Sequence, residues 1–290
     1  MTRKPSGGKA SKGRRQVPGG RTVTGPQERR RAKAAAAIAA ATSDYDEARQ
    51  ELERLIGEMI ELSATIAGTP SGGYRPYSAS VLLTKMTLSC LTIDKLIPKI
   101  ASPQSDELWD LGSIATLTRT IAENYFLLHW LCVETEDEAL FELRISLLRI
   151  VDNRARYRML YEVEGEAEPA DFLASQKTHA DRLATMELWH QIDPRRQKEL
   201  LKGKNMPFIH DDVVEKLDLD RKTFRSHYRY LSSFVHTGTI SFFRVEQQRR
   251  GDGDYNDYER DAILVCMMLL IMIVTATVDD MRKIHSGSER

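Results

Sequence analysis

The sequence predicts an all-α fold, a multi-helix bundle preceded by a disordered basic tail. Apolar residues recur at helical spacing in long stretches separated by short turn-rich segments. Only residues 239–245 look strand-like, and no second strand is apparent for them to pair with. Of the 290 residues, 41% are hydrophobic, which is enough for one sizeable core or two small ones. We therefore expect a tail over residues 1–42 and a single helical domain over residues 43–290.

The predicted tail is strongly basic. Residues 1–34 hold eleven Lys and Arg against one Glu, a net charge of +10, and the remaining chain carries the balancing −10. Up to residue 27 this segment is built from Gly, Ser, Pro, Lys and Arg, a composition that cannot offset the entropy cost of ordering. A basic arm on an acidic body indicates an anionic partner. We expect RNA or another polyanion to bind the tail arginines, which include Arg14, Arg15, Arg29, Arg30 and Arg31.

The first four helices are predicted from their apolar stripes and their ends. The first begins at Ser43 and stops at Gly68 and Pro70, where the chain becomes turn-rich. Thr135 and Glu138 form a capping-box signature at the start of the fourth helix. The second, third and fourth helices are expected over residues 78–100, 105–133 and 136–161.

The later helices are marked by Pro and Gly. A fifth helix is expected over residues 169–192, and a shorter one has Pro194 at its first position and Gly203 just past its end. Two more helices are expected over residues 220–236 and 258–284. His179 and His190 share a face of the predicted fifth helix, but no acidic residue converges on them, so we expect no metal site and no cofactor.

The last helix contains 17 consecutive uncharged residues, 262–278, near the lower limit for crossing a bilayer. Cys, Met and Thr dilute its hydrophobicity, Asp261 and Asp279 flank it closely, and no aromatic belt is present. We expect a buried core helix, with a tail anchor as the alternative. Three cysteines without metal-ligand spacing and an N-terminus without an apolar segment favour a cytoplasmic protein.

The segment from Arg225 to His236 is the main candidate for chemistry. In a helix its core-facing stripe is Phe224, Tyr228, Leu231 and Val235. A second stripe beside it carries polar groups: Arg225, Arg229, Ser232 and His236. A guanidinium near an imidazole is suited to phosphoryl chemistry, because Arg holds phosphate oxygens and His transfers protons near neutral pH.

Arg229, with six residues before His236, resembles the Arg-x4-6-His signature of the HEPN superfamily of helical ribonucleases, although Tyr230 stands where many of these enzymes carry Asn. The resemblance implies a metal-independent endoribonuclease acting as a toxin or in phage defence. It also implies that His236 transfers a proton at the RNA 2′-hydroxyl, that Arg229 stabilises the phosphorane, and that two protomers form a homodimer.

Arg119 and Glu123 are the only formally charged residues between Leu111 and Val133, on a helix expected to be largely buried. One interpretation is a structural ion pair one turn apart, since a buried charge is costly unless it is paired. The other is that both residues line a polar cavity with Arg229 and His236, where Glu123 orients Arg229 or the imidazole.

A further resemblance covers roughly residues 80–280. It rests on Arg119-Thr-Ile-Ala-Glu123 and Tyr230-Leu-Ser-Ser-Phe-Val-His236, and it is to a bacterial all-helical family known only as a domain of unknown function. This resemblance supports the fold and supplies no activity.

Two functional hypotheses follow. In the first, the chain is a ribonuclease with Arg229, His236, Glu123 and Arg119 as catalytic residues and Arg225 as an RNA contact. In the second, it is a non-catalytic binding or adaptor protein, and the same Arg, Glu and His residues form a structural polar network. Solvent exposure of His236 and Arg229 would favour the enzyme.

Overall fold

The computed structural model describes residues 45–67, 72–102, 106–135, 137–160, 170–208, 210, 213–214, 221–236, 238–239, 241–243 and 253–286. Within these ranges the regular structure is helical and contains no strand, which confirms the predicted all-α class. The predicted tail, with its five candidate arginines, lies outside the described residues. The helices are α1 Tyr45–Ile66, α2 Tyr74–Leu96, α3 Leu111–Leu128, a π-helical turn His129–Val133, α4 Glu138–Leu160, α5 Ala170–Ala184, α6 Glu187–His190, α7 Pro194–Leu201, α8 Arg221–Val235 and α9 Asp257–Ser286.

Helix α9 lies at the centre of the main bundle and packs against α1, α2 and α3. It contributes many of the fully buried side chains, including Ile263, Met267, Leu270 and Val274. The buried, apolar C-terminal helix is thereby confirmed. By length and composition α9 also meets the criteria for a membrane span, and 61% of its most apolar window is buried inside the bundle.

Helices α4 to α7 form a second, smaller layer beside the bundle. Their side chains build a separate apolar cluster, centred on Leu143, Leu147 and Ile150 of α4, Leu183 of α5 and Trp189 of α6. Gly203 follows α7 with a φ of 60°, as expected for a glycine just past a helix end.

The predicted fifth helix is interrupted. Thr185 forms a turn and Met186 has an extended backbone, so α5 and α6 are separate helices. The Thr185 hydroxyl donates to the carbonyl of Arg182, a local bond that competes with helix continuation. His179 and His190 consequently lie on different helices, and the prediction that they share a helical face was wrong.

Other local predictions are also corrected. Residues 239 and 241–243, expected to be strand-like, are helical, and the amide of Phe242 donates to the carbonyl of Gly238. Helix α3 begins at Leu111 because the Asp110 side chain accepts from the amide of Ser113. The Thr135 hydroxyl donates backwards to the carbonyl of Leu131 and does not form the predicted capping box.

Helix α8 packs along α3. Phe224 and Leu231 are buried as predicted, but Val235 lies at the edge of exposure and Tyr228 is half-buried. This packing brings the polar residues in the middle of α3 to the polar stripe of α8.

Candidate functional site

Three polar side chains form a closed network where α3 meets α8. Arg119 Nη2 lies 2.9 Å from Glu123 Oε1, one turn along α3. From α8, the Tyr228 hydroxyl donates to Glu123 Oε1 at 2.5 Å and accepts from Arg119 Nε at 3.2 Å. The guanidinium also lies over the Tyr228 ring, 5.1 Å from its centroid. The expected ion pair is therefore present, and a tyrosine from the facing helix completes it.

The network fixes the charges of its members. Burial lowers the pKa of Arg119, but the hydrogen bond from its guanidinium to Tyr228 and the charge of Glu123 outweigh this effect and raise the pKa overall. Burial and the bond to Glu123 raise the pKa of the Tyr228 hydroxyl to about 12. Near neutral pH the site therefore contains a guanidinium cation and a protonated phenol.

His236 lies at the open side of this network. The residue is exposed, and its Nε2 atom lies 3.5 Å from Arg119 Nη1. A guanidinium has donors only, so Nε2 can join this contact only as the acceptor. An exposed imidazole can take a proton from a bound molecule once that molecule displaces the Arg119 contact.

Arg229 and Arg225 point to solvent from the same face of α8. In the described part of the chain no hydrogen bond or ion pair joins Arg229 to Glu123 or His236. Glu123 instead contacts Arg119 and Tyr228. The four residues predicted to be catalytic therefore lie on or directly after the two helices that pack together, α3 and α8. Arg119, and not Arg229, is the arginine next to the imidazole. The expected orienting contact from Glu123 to Arg229 or His236 does not form.

Tyr230, the residue after Arg229, contacts α9. Its hydroxyl shares a 2.8 Å hydrogen bond with the Tyr258 hydroxyl of α9, and its ring packs against Phe234. Burial, together with the bond to Tyr258, raises the pKa of Tyr230. Tyr230 thus fixes α8 to α9.

Two members of the site were not predicted from the sequence. Tyr228 was expected in the apolar stripe, but its hydroxyl links Arg119 to Glu123. The ring of His210 packs against Tyr228 in a T-shaped arrangement with centroids 5.1 Å apart and also contacts Phe126. The only sequence signal for Tyr228 was its position one turn from Ser232 and two turns from His236 on α8.

The described residues contain no group of three or more His, Cys, Asp and Glu side chains placed to hold a metal ion. All three cysteines are buried and free. Burial raises the pKa of each of their thiols to about 12, so none is an activated nucleophile. The chemistry available at this site is that of an arginine, a histidine and their supporting groups.

Fold and site together define an all-helical protein with a cationic, solvent-facing polar site between two packed helices. Residues 79–253, well over half of the chain, match the model of a family of unknown function, DUF5677, and the chain belongs to that family. The match includes α3 and α8, with Arg119, Glu123, Tyr228 and His236, and ends before α9. No curated protein and no solved structure matches the chain.

Proposed function

We propose that the chain is a HEPN-like, metal-independent endoribonuclease whose active site is the junction of α3 and α8. The observation that carries the proposal is the contact between the Arg119 guanidinium and Nε2 of the exposed His236. An exposed imidazole beside a permanently charged donor can transfer a proton next to a phosphate that the donor binds. His236 keeps the role expected from the Arg-x6-His pattern, and Arg119 becomes the nearest cation.

In the proposed reaction the Arg119 guanidinium turns from His236 to the phosphate, and the released Nε2 of His236 takes the proton from an RNA 2′-hydroxyl. The 2′-oxygen forms a bond to the adjacent phosphorus, and the bond between phosphorus and the 5′-oxygen breaks. The proton ends on the leaving 5′-oxygen, so the products are a 2′,3′-cyclic phosphate and a 5′-hydroxyl, and no other reactant is consumed. Arg119 stabilises the negative charge that develops on the phosphorane.

Glu123 and Tyr228 are positioning residues in this proposal, because they contact Arg119 and hold its guanidinium towards His236. Arg229 and Arg225 are exposed on the same helix and bind flanking phosphates. The basic tail, with Arg14, Arg15, Arg29, Arg30 and Arg31, adds salt-sensitive affinity for RNA. We further propose a cytoplasmic protein that acts as a homodimer in toxicity or phage defence.

A non-catalytic adaptor is the second proposal. It is favoured by the closed network of Arg119, Glu123 and Tyr228, since such a network also serves to hold two helices together. In this proposal His236 is an exposed surface residue with no chemical role.

Single substitutions separate the two proposals. His236→Ala and Arg119→Ala should each abolish RNA cleavage, whereas Arg229→Ala should raise KM more than it lowers kcat, because Arg229 stands apart from the imidazole. His236→Ala should change the free energy of unfolding by about 1 kcal/mol or less, since the side chain is exposed. Cleavage is followed on RNA gels with EDTA present, alongside circular-dichroism melts.

His190→Ala is the matched control, because His190 is also exposed but lies on α6, away from the site. This variant should cut RNA like the wild type. A wild-type protein that cuts no RNA, with Arg119→Ala destabilised by several kcal/mol, would favour the adaptor.

A further inference from the structure

The chain after α8 folds back onto that helix within one turn of His236. The amide of Gly238 donates to the carbonyl of Ser233 at 2.7 Å, and the Ser241 hydroxyl bonds to the carbonyls of Ser233 and Gly238 at 2.9 and 2.8 Å. A Cβ atom at position 238 would lie 3.3 Å from the Ser233 oxygen, so a glycine permits this close approach. The following residues are therefore held at a fixed place beside the site.

Two aromatic side chains project from this fixed segment. Phe242 and Phe243 are 58% and 49% exposed, and both belong to the exposed large apolar side chains of the described residues. Their rings contact each other edge to face, with centroids 5.3 Å apart. Neither ring belongs to the core clusters. Exposure of two large rings forgoes the stabilisation that burial would give, which points to a binding role.

The segment that carries the pair is cationic. Residues 221–245 contain five Lys and Arg and no Asp or Glu. Arg225 and Arg229 are exposed on α8, and His236 is exposed at its end. Exposed aromatic rings beside a row of basic side chains are the combination that binds single-stranded nucleic acid, in which bases stack on the rings and phosphates lie along the cations. The basic charge of this segment favours a polyanionic partner over an apolar protein partner.

We propose that Phe242 and Phe243 form a stacking platform that holds an unpaired RNA base next to His236. This inference rests on the proposed function for its substrate class and adds a preference for single strands. A base engaged in a duplex is stacked on its neighbours and has no free face for the rings, so duplex RNA is excluded from the platform.

The test measures binding without cleavage. The probe is a short single-stranded oligonucleotide, fully 2′-O-methylated so that it cannot be cut, with one 2-aminopurine reporter base. The full-length wild-type chain should quench the reporter and should bind this strand more tightly than the same sequence in a duplex. Phe242→Ala combined with Phe243→Ala should weaken binding of the single strand about ten-fold or more and abolish the quenching.

Two further variants control the result. Tyr77→Ala removes a similarly exposed ring (53% exposed) on α2 and should leave binding unchanged. Phe242→Trp keeps an aromatic face and should retain quenching, which separates lost stacking from lost folding. Circular-dichroism melts should be alike for all variants, because neither phenylalanine is part of the core.

Unchanged affinity and quenching in the double variant would overturn the platform. If the double variant no longer self-associates in sedimentation but still binds the oligonucleotide, the platform is overturned, and the two rings form a contact between copies of the chain. Stacking that persists in a wild-type protein unable to cut RNA would support the platform and count against the ribonuclease. If the wild-type protein cuts RNA and the double variant binds the oligonucleotide equally well, the ribonuclease is supported and the platform is overturned.

Discussion

Tyr228 links both charged residues of the α3 pair to helix α8. Its hydroxyl accepts from Arg119 and donates to Glu123, and its ring contacts the Arg119 guanidinium and packs against His210 with the two ring planes 73° apart. Because the phenol stays protonated well above neutral pH, its role is to orient the Arg119 guanidinium and the Glu123 carboxylate. Glu123 would otherwise have Arg119 as its sole partner in the network.

Tyr228 should also make the stability of the chain depend on pH under alkaline conditions. Its pKa is about 12 in the folded chain and about 10 when unfolded, so between these values the unfolded state loses a proton that the folded state keeps. Stability should therefore fall as pH rises from about 10 towards 12. Tyr228→Phe should reduce this pH dependence. Thermal melts of both proteins at pH 9 and pH 11 check it, and an equal alkaline loss in the variant would contradict the assigned shift.

At residue scale, the sequence predicted the Arg119–Glu123 pair from its spacing of one helical turn, and it placed His236 correctly on a polar stripe of its helix. It did not identify which arginine lies next to His236. That choice depends on how α8 packs across α3, which no local pattern encodes. Tyr228 was assigned to the core by its periodicity, because periodicity describes where a ring points and not what its hydroxyl reaches.

At the scale of elements, the long helices were predicted closely and the connections were not. Apolar periodicity over many residues placed α1, α2, α8 and α9 to within a few residues at each end. The errors in the predicted boundaries arose where a single side-chain hydroxyl or carboxylate determines where a helix begins or ends. Asp110 begins α3, and Thr185 lies where the predicted fifth helix breaks. Such caps involve single hydrogen bonds that compete closely with helix continuation.

At the scale of elements, replacing each of two glycines with Ala should change the free energy of unfolding in opposite directions. Gly203 has a φ of 60°, and a Cβ atom there would lie 2.7 Å from the carbonyl oxygen of Ile150 on α4. Gly203→Ala should therefore destabilise the chain by about 1–3 kcal/mol. Gly57 lies inside α1 with open space around its Cβ position, so Gly57→Ala should stabilise by about 0.5–1 kcal/mol. Urea unfolding of both variants measures the two shifts, and a neutral Gly203→Ala would contradict the close approach to α4.

At the scale of the whole molecule, the polar site depends on α9, a helix that the family match does not include. The match covers α3 and α8, but α9 packs against α3 and fixes α8 through the hydrogen bond between Tyr230 and Tyr258. The sequence predicted a single helical domain, and within the described residues its apolar side chains form one main core and one satellite cluster. This division follows from tertiary packing of α4 to α7, which composition alone does not reveal.

The placement of α9 gives the last prediction. Asp280 on this helix is buried and bonded to the Tyr125 hydroxyl and to Lys283, contacts made within the bundle. Expressed without detergent, the chain should remain in the supernatant after high-speed centrifugation. The buried thiols of Cys90, Cys132 and Cys266, whose pKa values are raised to about 12, should react with a water-soluble thiol reagent only after denaturation. Carbonate washing of the membrane fraction is the control, and recovery of the chain only from washed membranes would mean that α9 is a membrane anchor.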